Sequence, residues 1–333
     1  MRSRKILFSL LCSSYLLQTA YADDVLTHVF KPSPEEATPW FTGPLLAPSA
    51  HTIPTGHVDV EPYLFFWSFT GAYNSHWRPQ SADHNFHSLQ LQVPVWVGVC
   101  SFLDVTIQPT VAYQFTQNQR SVEFGDLPFG VDIQLLNEDQ DRWWVPAIKL
   151  FLKAAGPTGK YDDLNPNKLG TDAFGSGNWV PNATISIGRI FPIGEMHFFS
   201  PRLAFSYTVP TPLHVKNYNV YGGTYGTDGT VYPGNVFSFD FGLEYNLSQN
   251  WVIANDFYYQ HNNKNRFSGD TGFVEPGIPA LMTSPSSDQF SLAPAIEYNW
   301  SANAGIIGGV WFTFAGRNTS RFVTGVIALN FYI

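Results

Sequence analysis

Three groups of residues have types and spacings that could carry chemistry. His76, His84 and His87 lie close together, with Asp83 beside them. Imidazole and carboxylate are zinc and copper ligands, but this spacing fits no known ligand motif, and polar histidines are ordinary in surface loops. His87 and Ser88 form the one His–Ser pair at a strand start, as a hydrolytic site would need. Neighbouring residues on a strand point to opposite faces, so the two cannot share a site. No G-x-S-x-G or H-E-x-x-H run occurs either. The chain reads as a non-enzyme with no cofactor or metal site to assign. The third group is Asp132, Lys149, Arg202, Asp240, Glu244 and Asp256, with Tyr258. All sit on the polar faces of segments that alternate residue by residue. Such a set can line an aqueous path and filter solutes by charge and size, as charged rings do in channels. Its plainer role is to pair internally, because an unpaired buried charge is costly.

The elements that position this third group are strands of one type. Between Val236 and Leu247 the odd positions are Phe237, Phe239, Phe241, Leu243, Tyr245 and Leu247, and the even ones include Ser238, Asp240, Glu244 and Asn246. One face is therefore apolar and the other polar. Twelve residues exceed the usual soluble strand of about 5–6 and suit a tilted membrane strand of roughly 9–11. Comparable segments cover 57–69, 86–100, 102–117, 126–136, 143–154, 178–191, 196–209, 251–260, 289–300, 303–315 and 321–333. The first is aromatic but alternates poorly. Pro94, Pro109, Pro146 and Pro294 fall inside or beside strands and need bulges or strand ends to be tolerated.

Set side by side, the strands bring Arg202 next to Asp240 and Glu244, with Asp256 on the following strand, and they make Asp132 face Lys149. Connections alternate in length. Those around 101, 137–142, 192–195, 248–250 and 301–302 are tight, whereas 70–85, 118–125, 155–177, 210–235 and 261–288 are long and only 316–320 on that side is short. Segregation of loop length by parity marks an outer-membrane barrel with short periplasmic turns and long extracellular loops. The expectation is a twelve-stranded antiparallel transmembrane β-barrel over 57–333. The tryptophans Trp143, Trp144, Trp251 and Trp300 fall at its periplasmic strand ends, as in an interfacial girdle.

The start of the chain agrees with that location. Arg2, Arg4 and Lys5, an apolar run and Ala20-Tyr21-Ala22 read as a signal peptide over 1–22. Its removal takes three of the 18 basic residues and none of the 26 acidic ones, moving the net charge from −8 to −11. That balance argues against nucleic acid as a partner. Cys100 is then the sole cysteine, so no internal disulfide forms. Residues 23–56 carry six prolines and read as an extended segment, in the periplasm or threaded against the barrel wall.

Three short stretches resemble the outer-membrane family named for the MetA pathway of phenol degradation. They are Phe124-Gly125-Asp126-Leu127, Gly156-Pro157-Thr158-Gly159 and Gly175-Ser176-Gly177-Asn178-Trp179, supported by the 239–260 hairpin. The resemblance covers roughly 105–260 and carries over no catalytic residue. It implies a single-chain barrel that transports small organic molecules, hydrophobic or aromatic ones among them. The function expected is passive passage of such molecules through the outer membrane of a Gram-negative bacterium. The alternatives are a surface structural or adhesive protein acting through its loops and, disfavoured by loop parity, a soluble secreted all-β protein. Partners on the leading reading are outer-membrane lipid and lipopolysaccharide, a small-molecule solute and the barrel-assembly machinery.

Overall fold

A computed structural model describes residues 40–139, 141–193 and 197–333; the signal peptide read over 1–22 lies outside them. The chain forms twelve antiparallel barrel strands, five of them broken once, the sixth resuming at Phe191–Pro192. They are β1 (Val58–Val60 and Tyr63–Tyr73), β2 (Pro79–Gln92 and Val95–Cys100), β3 (Leu103–Ile107 and Thr110–Thr116) and β4 (Gln119–Phe124 and Leu127–Leu136). β5 (Ala147–Gly156), β6 (Val180–Gly188), β7 (Phe198–Thr208) and β8 (Val236–Asn246) follow. β9 (Trp251–Asn262), β10 (Ser287–Ser301), β11 (Ala304–Arg317) and β12 (Thr319–Tyr332) complete the wall. Each strand pairs with the next, and β12 returns to β1 with Tyr63 opposite Ala328 and Asp59 opposite Tyr332. Closure leaves no free edge, which a bilayer demands because it offers backbone groups no water.

The exterior is the greasy face of the alternation. Ile185, Phe205, Phe237 and Leu152 are exposed, while their neighbours Ser186, Ala204, Ser238 and Lys153 are buried in the lumen. Trp143, Trp144, Trp251 and Trp300 are all exposed at the periplasmic strand ends. The breaks in β1 to β3 fall at prolines, and that in β4 falls at Gly125 and Asp126, just before Pro128. The carbonyls of Pro94, Pro109 and Pro128 each accept a bond from the strand before, at 2.9–3.1 Å, so the strands kink together without orphaning their neighbours. At Pro294 the ladder to β11 lapses between Leu292 and Ala295.

Two loops differ from expectation. The segment 70–85 is no long loop: β1 runs on to Tyr73 and β2 starts at Pro79, joined by a five-residue turn. Likewise 118–125 is mostly strand, Gln119–Phe124 pairing back onto β3. Polar residues hid the first, because a strand that rises beyond the membrane faces water on both sides, and the second is largely polar, with Val122 and Phe124 exposed on one face. The three remaining long connections, 157–179, 209–235 and 263–286, fold into a cap. Leu213–Lys216, Asp228–Tyr232 and Arg266–Asp270 form a small sheet in it. The sheet covers a cluster that includes Leu164, Val215, Tyr221, Val231 and Met282.

The motif stretches meet where the cap joins the barrel. Asp126 accepts from the Gly159 amide at 3.0 Å, the Ser176 amide at 2.7 Å and the Ser176 hydroxyl at 2.6 Å. Gly159 and Gly175 pack backbone to backbone, with no room for a Cβ on either.

The lipid-facing assignment has a direct test. Phe205→Arg, on the outer face of β7 at mid-strand, should destabilise the barrel by roughly 2–4 kcal/mol. The measurement is a lower urea midpoint for the heat-shifted folded band in vesicles, and an unchanged midpoint contradicts the orientation.

Candidate functional site

The lumen is occupied by the chain's own N-terminal segment. Residues Phe41 to Ile53 are all buried inside the barrel. Pro44, Pro48 and Pro54 keep this stretch extended, so its amides cannot bond one another. Away from water each needs a partner, and the wall supplies it. The Thr42 amide donates to Glu297 at 2.9 Å, and that of Gly43 to Glu244 at 3.1 Å. Leu46 and Ala47 both donate to the Asp256 carboxylate, at 3.2 and 3.1 Å. Further along, Thr52 donates to Gln134 at 2.8 Å and Ile53 to Asp104 at 2.9 Å. Carbonyls are met by donors: Ser186 reaches Pro48 at 2.7 Å and Lys149 reaches His51 at 2.6 Å. Hydrogen bonds to charged groups are worth about 1.5–3 kcal/mol each.

Inward-facing glycines clear the path. A Cβ on Gly242 of β8 would lie 2.6 Å from the Ala47 Cβ and 2.7 Å from Pro44, and one on Gly309 of β11 2.7 Å from Leu45. On Gly305 it would meet Thr42 at 2.6 Å, and on Gly98 of β2 the Ile53 carbonyl at 2.5 Å. The wall is shaped to the segment on opposite sides of the lumen.

Two chemistries share the rest of the interior. On the outer part of β1 and on β11 and β12 most inward residues are aromatic or apolar, while Asp59, Glu61 and Asn330 form a polar patch at the inner end. Tyr63, Phe65, Trp67 and Phe69 stack along β1 with centroids 5.6–5.9 Å apart, and Trp311 and Phe322 meet Trp67 edge-on at 5.1 and 5.0 Å. Leu45 and Leu46 of the segment pack into this cluster. Across the lumen, β3 to β10 present charges and hydroxyls.

All six charged residues singled out above are buried on the inner wall. Their partners differ from the simple side-by-side placement. Arg202 pairs with Glu244 at 2.9 Å and not with Asp240, which stands opposite Ala204 and Tyr258. Asp132 does not face Lys149: Gln134 does, and Asp132 lies opposite Phe151. This two-residue offset gives Lys149 to Asp104 at 3.9 Å and Lys153 to Asp132 at 3.7 Å. Tyr258 contacts the Trp311 ring edge-on at 5.9 Å. Asp104 and Glu297 are the functional acids that the sequence reading passed over; parity marks both as inward, but nothing local says what they bind. The aromatic face of β1 was hidden because both of its faces are apolar.

Above the segment lies a cavity of about 50 Å³, lined among others by Leu46, Lys153, Ser206, Asp240 and Tyr258. The first-loop residues do not converge. His76 sits in the β1–β2 turn, and His87 faces outward between Phe66 and Phe115 while Ser88 is buried inward. Among the described residues no group of three His, Cys, Asp or Glu is placed to hold a metal.

No known family profile matches the chain, and no curated protein matches it. Among solved structures, it is similar to the COG4313 outer membrane channel from Pseudomonas putida F1. The TM-score is 0.64 at 9% identity, covering 86% of this chain and 98% of that one. The β domain of the Bordetella autotransporter BrkA follows at 0.43, with 10% identity, 84% of this chain and 100% of that one. A TodX monoaromatic hydrocarbon channel mutant stands at 0.40, with 10% identity, 84% and 90%. The first of these establishes the fold, that of an outer-membrane β-barrel. None of them confirms the MetA-pathway family name.

If the glycines and Asp256 seat the segment, Gly242→Leu and Asp256→Asn should each loosen it while the barrel stays folded. Limited proteolysis with mass spectrometry should then cut within 40–53 at least several-fold faster than in the parent. Equal protection in both variants contradicts the docking.

Proposed function

We propose that the protein is an outer-membrane channel for passive passage of small molecules, its lumen narrowed by its own N-terminal segment. The supporting observation is that a main-chain segment shares the lumen with the inward side chains of the wall. Glycines cut a groove for that segment, and wall carboxylates bind its amides. A barrel serving only as a scaffold for loops has no need of a groove shaped to such an occupant. The aromatic lane along β1 supports hydrophobic or aromatic solutes among the cargo, and the charged lane beside it supports selection by charge. Asp132, Lys149, Arg202, Asp240, Glu244, Asp256 and Tyr258 are the proposed lining of the constriction. On this reading the chain divides into a signal peptide over 1–22, a Pro-rich periplasmic or barrel-associated segment over 23–56, of which Phe41 to Ile53 narrow the lumen, and the barrel over 57–333.

A second reading has one observation in its favour. The cap is ordered by its own apolar cluster, yet it exposes Tyr225, Phe273 and Leu281. Exposed large apolar side chains grouped on a loop surface suit contact with another cell or protein.

Planar-bilayer recording separates the two. Deleting residues 40–53 should raise single-channel conductance several-fold over the parent, and Arg202→Ala should shift its ion selectivity toward cations by adding an unpaired Glu244. No current from either the parent or the deletion variant overturns the channel and leaves the cap as the working surface.

A further inference from the structure

The outer face of β3 carries one unbroken apolar row. Val105, Ile107, Pro109, Val111, Tyr113 and Phe115 alternate outward across the break in the strand, with Gln108 and Gln114 buried on the other face. At the usual rise and tilt of a barrel strand this row is about 25 Å tall, the height of a lipid-facing band. Phe115 therefore stands at the outer boundary of the hydrocarbon. His87 of β2 stacks on it at 5.0 Å and on Phe66 of β1 at 5.8 Å, which extends that boundary as an aromatic shelf.

The rim of this shelf is basic. Arg120 of β4 lies directly opposite Phe115 and so shares its face, with Val122 opposite Tyr113 and Phe124 opposite Val111 beneath it. Val122 and Phe124 are 61% and 70% exposed, bare hydrocarbon below an exposed arginine. The helical turn Pro166–Lys168 brings a second cation to the same place, where the Lys168 ammonium donates to the Arg120 carbonyl at 3.0 Å. Among the described residues neither cation has an acidic partner. Glu123 belongs to the opposite face of β4, across from buried Ala112. Elsewhere on the rim Lys160 is answered by Asp172 at 3.1 Å and Arg317 by Asp288 at 2.6 Å. Two cations without acids, at the top of an exposed apolar column, suit an anion that carries its own hydrocarbon.

We propose that this rim binds a phosphorylated lipid of the outer leaflet, with Arg120 and Lys168 on a headgroup phosphate and Phe115, Val122 and Phe124 along the acyl chains. Arginine forks onto phosphate oxygens and lysine meets them as a point charge, and clustered basic side chains at a membrane surface attract anionic headgroups. A soluble anion would leave the hydrocarbon column bare, and a neutral lipid would leave the cations unanswered. The contact lies on the outer wall, so it does not depend on what passes through the lumen. Through Lys168 it also ties the 157–179 connection of the cap to the lipid surface.

The experiment uses the full-length protein in detergent micelles with EDTA, which removes divalent bridges to phosphate, and counts bound lipid by native mass spectrometry. Diphosphorylated lipid A should bind at least tenfold more tightly than the same glycolipid stripped of its phosphates. The double variant Arg120→Gln/Lys168→Gln should remove that preference. Lys216→Gln/Lys264→Gln, which takes the same charge from exposed positions in the cap, should leave it intact. Heat-shifted mobility checks that each variant is folded. Equal binding of the two glycolipids by the parent overturns the proposal, as does a preference that survives in folded Arg120→Gln/Lys168→Gln. An equal loss in the cap variant also overturns it, by making net charge the cause. Displacement of lipid A by millimolar inorganic phosphate overturns it too, by assigning the two cations to a free anion.

Discussion

The structure depends on one constraint: an extended, proline-bearing segment lies where there is little water, and its amides must be satisfied by something other than itself. Aspartate, glutamate and glutamine side chains on β3, β4, β8, β9 and β10 do this. The arrangement solves two problems at once. The segment gains partners for its backbone, and the carboxylates gain donors that offset part of the cost of burying their charge. Removing either side leaves the other exposed to that cost, so segment and wall form a single unit.

The same division of labour runs through the rest of the lumen. Leu45 and Leu46 anchor the segment in the aromatic cluster of β1, β11 and β12 while its amides face the acids. The ion pairs Arg202–Glu244, Lys149–Asp104 and Lys153–Asp132 set the charged side. At the outer end, Asp126 ties the cap to the wall through Gly159 and Ser176, which is why three short stretches far apart in the chain belong together. The barrel is thus closed at one end by its own start and roofed at the other by its own loops. A small cavity lies between them.

Much of this was legible in the alternation alone. Phe237, Phe239 and Phe241 against Ser238 and Asp240 announce a strand between lipid and lumen, and the count of such strands and the parity of their connections announce closure. The inward placement of Arg202, Asp240, Glu244 and Asp256 follows from the same parity. Other features had no local signature. In β1, Phe65 and Phe66 are both aromatic although one faces the lumen and the other the lipid, so periodicity is silent there. The extension at 79–85 is polar on both faces because both faces are wet, and that at 119–124 is largely polar, with Val122 and Phe124 exposed on one face. Gly242 and Gly309 look like ordinary strand glycines until Ala47 and Leu45 are seen against them.

By itself the sequence determined which residues meet lipid and which meet the interior, because a strand's two-residue period converts order directly into side. It also determined the class of barrel, since twelve alternating strands remain even though 70–85 and 118–125 are mostly strand and not long loop. Only the tertiary structure decided who pairs with whom. A shift of two residues leaves every face unchanged yet moves Lys149 from Asp132 to Asp104, and no period can sense it. Only the tertiary structure, too, put residues 41–53 inside the barrel. That placement depends on contacts from nine strands, and the Glu297 that holds Thr42 lies 255 residues further along the chain.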